Sequence, residues 1–500
     1  MTHRTNSSRT SRTTSRPIAP PPPKAAEQPT AGQAPGALPP RGLMEKVVRR
    51  AVSDLKPFPG NPRRHPEGQL ARLMKSIAKI WTNPILIDES ATILAGHARL
   101  EAAKRLGRTE VPTLTLVGLT AAEKRAVVIA DNRLPEQALW DFDLLRDHFK
   151  ALIDIDFDVE LTGFATGEID LLLDGNPAST AADPADDLTG LELRDPAVSQ
   201  PGDVWELGRH RLVCGDALQS ASYAALLAGE RAQMLVADPP YNVPINGHAM
   251  GRGKVRRREF KMAAGEMSEA AFTAFLETFV RQAVATSATG SIHFIFIDWR
   301  HLPELLTAAR PLYAEWKNLL VWNKSNAGQG SFYRSKHELI AVFKNGTAPH
   351  INNFGLGGQG RYRTNVLDYP SVNSLHPARR GELDLHPTVK SVALVADLIR
   401  DCSRRNGVIL DPFGGSGTTI LASERTGRIA RVIELDPLYV DLTIRRWEQI
   451  TGIAARHAQS GLTFAPAAQG DPLQDRAVGQ SERSTQRQYQ PGNRSFGRAQ

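Results

Sequence analysis

Five hundred residues, 41% of them apolar, are enough for more than one packed core, and Lys and Arg exceed Asp and Glu by eight. Residues 1–43 hold six basic side chains against Glu27, and residues 462–500 hold five arginines against three acids, so the body between is close to neutral. No run of about 18 apolar residues occurs and no apolar stretch follows the basic start, which excludes a membrane span and a secretory leader.

Residues 1–43 are rich in Ser, Thr, Arg and then Pro, and read as a disordered tail that cannot bury enough surface to offset its ordering entropy. Residues 44–135 then show short apolar runs, PILID, TILAG and VPTLTL, between the helical patterns EGQLARLMKSIAKI, HARLEAAKRLG and AAEKRAVVIADNR. That alternation predicts a small α+β domain. Residues 136–195 read as a helical connector followed by an acidic, solvated linker carrying Asp183, Asp186 and Asp187.

From 196 to 460 the pattern changes. The apolar strands RLVCGD, QMLVAD, SIHFIFID, NLLVWNK, HELIAVFK, GVILD and RIARVIEL alternate with helical stretches at 268–286, 303–309, 388–403, 418–426 and 438–449. Continuous apolar strands bounded by helices predict a doubly wound, mostly parallel α/β sheet covered on both faces. Residues 461–500 read as a second disordered tail. Cys214 and Cys402 are too few for a disulfide framework and too far apart to suggest a metal site, and HELIA lacks the second His of a zinc helix, so no metal is expected. The chain reads as cytoplasmic.

Ligands in such sheets bind beyond the carboxyl ends of the strands. One strand ends in Asp411-Pro412-Phe413-Gly414-Gly415-Ser416-Gly417-Thr418, where glycines let the backbone approach a ligand and free helix-terminal N–H groups. A phosphate loop would place Lys where Thr418 stands. About 20 residues on, Glu434 ends the next strand, where an acid accepts from a ribose diol. A glycine turn with a ribose acid and no phosphate lysine suits a nucleoside without phosphates, such as S-adenosyl-L-methionine. A third strand ends in Asp238-Pro239-Pro240-Tyr241-Asn242. There a carboxylate beside an outward-turned carbonyl can accept both N–H groups of an exocyclic amine, and an aromatic ring can stack on the attached base, worth ~1–3 kcal/mol.

ADPPYN followed far downstream by LDPFGGSGTT and VIELDP resembles the amino-group DNA methyltransferases, with motifs in the order of their permuted beta group. GDAL, WNKSNAGQG, YRSKHELIAVFKNG and HPTVK add to the resemblance, which covers about half the chain. It implies an S-adenosyl-L-methionine-dependent methyltransferase sheet of seven strands with the last antiparallel. It also implies roles. Asp411, Phe413, Gly414, Gly415 and Gly417 would line the cofactor, Glu434 would hold its ribose, and Asp216 its adenine. His386, Thr388 and Lys390 would lie near its methionine end, with Ser391, where many relatives carry Pro, loosening the helix start that follows. Asp238, Pro239, Pro240 and Tyr241 would hold a base flipped out of double-stranded DNA. The DPPY form goes with adenine N6 in this family; cytosine N4 is the alternative, and a non-catalytic partition-type DNA-binding protein is the reading from another class.

Arg252, Lys254, Arg256, Arg257, Arg258 and Lys261 follow directly on the target-base motif, and in a near-neutral body this run is a candidate phosphate clamp. Residues 347–385, with Arg361, Arg363, Arg379 and Arg380, fill the slot that target recognition takes in the family. The first domain resembles the ParB/sulfiredoxin-like fold of partition proteins, whose phosphate-contact motif would fall on Gly96, His97 and Arg99. No segment resembles a restriction nuclease, and a homodimer is compatible with the chain but not specified by it.

Overall fold

The computed structural model describes residues 46–174, 183–188, 190, 191, 193–243, 263, 265–325, 332–353, 363–370 and 389–464. Both tails, apart from 46 onward and up to 464, lie outside these residues, as do the basic run from Arg252 to Lys261, the positions His386 and Thr388, and most of the 347–385 slot. The chain forms two compact units that divide between Ala138 and Leu139.

The first unit holds β1 (Val48–Ala51), α1 (Glu67–Lys79), β2 (Ile85–Ile87), β3 (Ile93–Ala95), α2 (His97–Arg105), β4 (Glu110–Thr115) and α3 (Ala121–Arg133). Its sheet runs β1-β4-β2-β3, with β2 parallel to β4. Ile85, Ile87 and Ile93 are fully buried under Leu55, Leu100 and Val111. The helix ends follow local chemistry: Thr120 and Glu123 form a reciprocal capping box at the start of α3, and Gly107, at φ +69°, follows the end of α2. The α+β domain expected from the periodicity is present.

The second unit begins with α4 (Phe142–Asp154) and α5 (Thr166–Asp174) and continues through β5 (Val204–Leu207), β6 (His210–Cys214), α6 (Ser220–Leu227), β7 (Ala232–Ala237) and α7 (Glu269–Thr286). Then come β8 (Ser287–Ile297), α8 (Leu302–Ala309), β9 (Glu315–Asn323), β10 (His337–Lys344) and β11 (Val366–Asp368). The last stretch is α9 (Val392–Cys402), β12 (Val408–Asp411), α10 (Thr418–Thr426), β13 (Ile429–Glu434), α11 (Pro437–Thr451) and β14 (Arg456–His457).

These strands form one sheet in the order β11-β9-β10-β8-β7-β12-β13-β6-β5-β14. The neighbours β8, β7, β12, β13 and β6 pair in parallel, whereas β10 is antiparallel to both β8 and β9. Successive residues of β7 serve opposite cores. Met234 and Val236 pack in one with α9, α10 and α11, and Leu235 and Ala237 in the other with α6, α7 and α8. This is the doubly wound arrangement that the continuous apolar strands predicted.

The sheet has ten strands rather than seven. The seven predicted strands are its centre, and the short β5, β11 and β14 extend its edges. These three are two to four residues long and have no pattern to detect by periodicity. The last of them carries the fold past residue 460: Phe464 is buried and meets Trp205 edge to face.

Among its described residues the acidic stretch before the sheet is not uniformly solvated: Asp186 is buried and Asp187 exposed. Just ahead of it, on α5, Asp170 is buried too. Asp170 pairs with Arg428 and Arg405, Asp183 with Arg425, and Leu191 packs on Tyr439 and Leu442. Asp183 reads as solvated in the sequence because its arginine partner lies more than 200 residues downstream.

Candidate active site

The ends of β7, β12 and β13 meet at one cleft. Asp238, Pro239, Pro240 and Tyr241 line it from β7, Asp411 to Ser416 from β12, and Glu434 to Asp436 from β13; Gly215, Ala217, Phe296 and Lys390 are among the other wall residues. The target-amine motif and the glycine turn, far apart in sequence, thus share one cavity.

The glycine turn is shaped by close approach to the sheet. A Cβ on Gly414 would stand 2.4 Å from Val432 Cγ1, and one on Gly417 would stand 2.6 Å from Thr443 Cγ2. Gly415 and Gly417 also adopt positive φ, which side-chain-bearing residues rarely do. Gly417 does its work from behind, as the N-cap of α10, while Gly414 and Gly415 face the cleft. Phe413 is held edge to face against Phe279, at 5.1 Å between centroids.

Glu434 is joined to this turn. Its Oε2 accepts the Gly415 N–H at 2.8 Å, and its Oε1 accepts the Asp436 N–H at 2.8 Å. Burial pushes its carboxyl up to about 7 against these hydrogen bonds. Asp411 is likewise raised by burial to about 7, although Thr419 Oγ1 and the Phe413 N–H both donate to it. Asp216 lies between two wall residues, and its carboxylate accepts the Leu218 N–H at 2.8 Å.

Asp238 stands at the centre of a charged cluster. Tyr241 donates its hydroxyl hydrogen to Asp238 Oδ1, and Lys390 Nζ lies 2.9 Å from Asp238 Oδ2. The same Nζ is 2.9 Å from Glu338 Oε2, and Lys324 pairs with the other Glu338 oxygen. Burial raises the Asp238 carboxyl, with Lys390 opposing and Glu338 reinforcing the shift. Burial also works to raise Glu338, but Lys390 and Lys324 outweigh it and hold Glu338 at about 2. Burial works against the Lys390 ammonium, and Asp238 and Glu338 overcome it, so its pKa is raised.

Sequence placed Lys390 near the cofactor's methionine end. The structure sets its ammonium on Asp238, boxed by the rings of Phe296, Tyr241 and Trp322 at 5.1, 5.5 and 6.0 Å. Sequence reading gave Glu338 and Lys324 no role. Their only signal is an acid beginning an otherwise apolar strand, which the sheet's centre makes costly to bury. Asn242, at φ +53°, bonds through its side chain to the backbone of Gly265 and Met267, tying the target-amine turn to the start of α7.

Behind the cleft, Asp186 accepts the Val392 N–H at 2.8 Å and so caps α9 just after Lys390 and Ser391. The looser start expected from Ser391 is therefore not found. Arg446 donates to the carbonyl oxygens of Ser416 and Ala185, at 3.0 and 2.7 Å. Of the arginines in the 347–385 slot, Arg363 is tied to Asp397 and Asp401 rather than free for recognition. In the first unit, Gly96 caps α2 at φ +96° with the Arg99 guanidinium beside it, while His97 Nε2 accepts the Phe58 N–H at 3.2 Å. Among the described residues no helix is long and apolar enough to cross a membrane, and no cluster of side chains could hold a metal ion.

A buried carboxylate next to a rigid turn thus shares its cleft with a glycine turn and a second acid, at the strand ends where doubly wound sheets bind ligands. Residues 232–445 match the DNA methylase family of N6/N4 type, and residues 143–201 match the ParB-methyltransferase HTH domain. The chain carries an N6/N4-type DNA methylase domain over residues 232–445 and a ParB-like domain ahead of it.

The ParB-like nuclease domain-containing protein YnaK of Escherichia coli K12 is 44% identical over 81 residues, 16% of this chain and 93% of that one. The type II methyltransferase M2.MboI of Moraxella bovis is 26% identical over 234 residues, 44% of this chain and 82% of that one. Among solved structures, the M1.HpyAVI–SAM complex aligns with a TM-score of 0.35 at 19% identity, covering 47% of this chain and 98% of that one. The segment read as connector and linker is therefore matched as a domain in its own right.

Proposed function

We propose that the chain transfers a methyl group from S-adenosyl-L-methionine to the exocyclic amine of a base flipped out of double-stranded DNA, with adenine N6 as the target atom. The observation that carries this reading is the shared cleft: Asp238 and the Pro239 carbonyl stand at the end of β7, and the Gly414-Gly415 turn and Glu434 stand across from them. The residues fit the cofactor. Gly414 and Gly415 line the cleft with bare backbone, packed on the sheet behind, and Glu434 is an acceptor suited to a ribose diol. When bound, S-adenosyl-L-methionine supplies an electrophilic methyl on a sulfonium.

An exocyclic amine delocalises its lone pair into the ring and is a weak nucleophile. Hydrogen bonds from its two N–H groups to Asp238 and the Pro239 carbonyl would favour a tetrahedral nitrogen with a localised pair, and the cleft that holds these acceptors also carries the residues that would hold the cofactor. Asp238 would also accept the proton that the nitrogen sheds on being methylated. Tyr241 contributes a ring on which the flipped base stacks.

The choice of adenine rests on Asp at 238, where relatives acting on cytosine N4 usually carry Ser. Arg252, Lys254, Arg256, Arg257, Arg258 and Lys261 serve as phosphate contacts in this reading, and Gly96, His97 and Arg99 as an anion site. Sequencing DNA from cells expressing the protein with a method that reports modified bases tests base, atom and recognition sequence together. Absence of any modified base, alongside undetectable transfer of labelled methyl in vitro, would remove the enzymatic reading.

A further inference from the structure

Lys390 is held by charge on two sides. Its Nζ makes ion-pair contacts with Asp238 Oδ2 and Glu338 Oε2 at 2.9 Å each and donates to the Tyr241 hydroxyl at 3.3 Å. Its side chain is 7% exposed and that of Glu338 is 10% exposed. Strand register builds the arrangement. The antiparallel β10 sets Glu338 opposite Trp322 on β9, so Lys324, two residues beyond Trp322, reaches the outer oxygen of Glu338 while Lys390 takes the inner one. A chain of alternating charge, Lys324–Glu338–Lys390–Asp238, therefore leads from behind the cleft wall to Asp238.

We propose that Glu338 is a positioning residue of the methyl-transfer site: it anchors Lys390 as a fixed donor to Asp238, and thereby aims the free lone pairs of Asp238 at the incoming amine. The inference rests on Asp238 being the amine acceptor. Lys390 does not serve as the base, because two carboxylates hold its proton in place. Without Glu338 the ammonium has one carboxylate left, closes on Asp238 alone, and competes with the amine for that oxygen.

The charged and titratable groups that act on Asp238 are Tyr241 beyond β7, Glu338 on β10, Lys390 ahead of α9 and Asp411 at the end of β12; Lys324 beyond β9 acts on Glu338, and Asp298 beyond β8 on Tyr241. Of these, the negative charge of Glu338 raises Asp238 and the positive charge of Lys390 lowers it. Removing the Glu338 charge lets the Asp238 carboxyl stay ionised to lower pH. Removing Lys324 strips Glu338 of its outer counter-charge and acts in the opposite sense.

The test uses the full-length protein, labelled S-adenosyl-L-methionine and mixed-sequence double-stranded DNA, with kcat followed against pH and cofactor affinity measured by calorimetry. Glu338→Gln is expected to lower kcat about tenfold, the size of one weakened hydrogen bond to a charged group, while cofactor affinity stays within about twofold. Its acid limb moves to lower pH, that of Lys324→Met moves to higher pH, and Glu338→Asp recovers most of the rate. A wild-type rate and an unmoved acid limb in Glu338→Gln overturn the proposal. So does a loss of rate in both variants without opposite shifts, which marks a packing role alone. Should Glu338→Gln fail to fold, the Lys324→Met shift and the Glu338→Asp rate decide the matter. A wild-type protein that methylates no DNA refutes the functional reading itself, and is distinct from a working enzyme indifferent to Glu338.

Discussion

Asp170 and Arg428 form a two-pronged ion pair in which neither side chain is more than 1% exposed: Arg428 Nη2 donates to Asp170 Oδ2 at 2.8 Å and Nη1 to Oδ1 at 3.1 Å. Asp170 belongs to α5, in the helical segment before the sheet, and Arg428 to the turn between α10 and β13. The pair fastens the segment matched as an HTH domain onto the methylase sheet.

Breaking that pair by Asp170→Ala leaves a buried guanidinium with Ser403 and Thr426 as partners but no counter-charge. The expected loss is about 3–5 kcal/mol. Urea unfolding followed by circular dichroism measures it, and a midpoint equal to wild type would show that the arginine is solvated in the variant.

Cofactor binding is expected to depend on pH around neutrality. Glu434 is raised by burial to about 7, so it is largely protonated below that pH and ionised above it. The ionised carboxylate is the stronger acceptor for a ribose diol. Affinity for S-adenosyl-L-methionine should therefore rise from pH 6 to pH 8 and level off, and Glu434→Gln should be weaker and flat across the range. A wild-type affinity constant over that interval would assign the ribose to another residue.

Stability should run the other way. Asp186, Asp411 and Glu434 are raised by burial to about 6, 7 and 7, above the values they have in an unfolded chain. The native state then binds more protons than the unfolded state between about pH 4 and pH 7. These three groups make the protein more stable as pH falls through that window and less stable as it rises. Replacing Asp411 by Asn should flatten part of the slope in chemical denaturation measured from pH 5 to pH 7.5.

Asp238→Ala should abolish methyl transfer and leave cofactor affinity nearly intact, because Glu434 and the glycine turn stand on other strands. Tyr241→Phe separates ring from hydroxyl. Stacking alone would make it almost silent, but the hydroxyl donates to Asp238 and meets Lys390, so a loss of about three- to tenfold in kcat is expected, of the order of one hydrogen bond. Labelled-methyl transfer measured beside calorimetry distinguishes the outcomes, and appreciable transfer by Asp238→Ala would leave the mechanism without its acceptor.

Neutralising Arg256, Arg257 and Arg258 should weaken binding to all DNA sequences alike and reduce the steepness of its salt dependence, since each phosphate contact releases counterions. Filter binding over a range of salt concentrations reads the slope. An unchanged slope would assign phosphate contacts elsewhere.

Much of this protein is written locally. Apolar runs such as QMLVA and GVIL mark central strands because a strand covered on both faces must be apolar throughout. The glycines of the β12 turn follow from close approach of backbone to sheet, and Asp238 and Glu434 were legible because each ends such a strand. The short edge strands were not legible, since two to four residues carry no period. Nor could the sequence reveal that Asp186 caps α9, that Asp170 is buried on Arg428, or that Glu338 and Asp238 share Lys390. An isolated carboxylate in sequence looks like a solvated one. What decides whether it is a surface charge or a buried partner is which cation the fold brings within 3 Å, and sheet order and strand register bring them together from segments that are far apart in the chain.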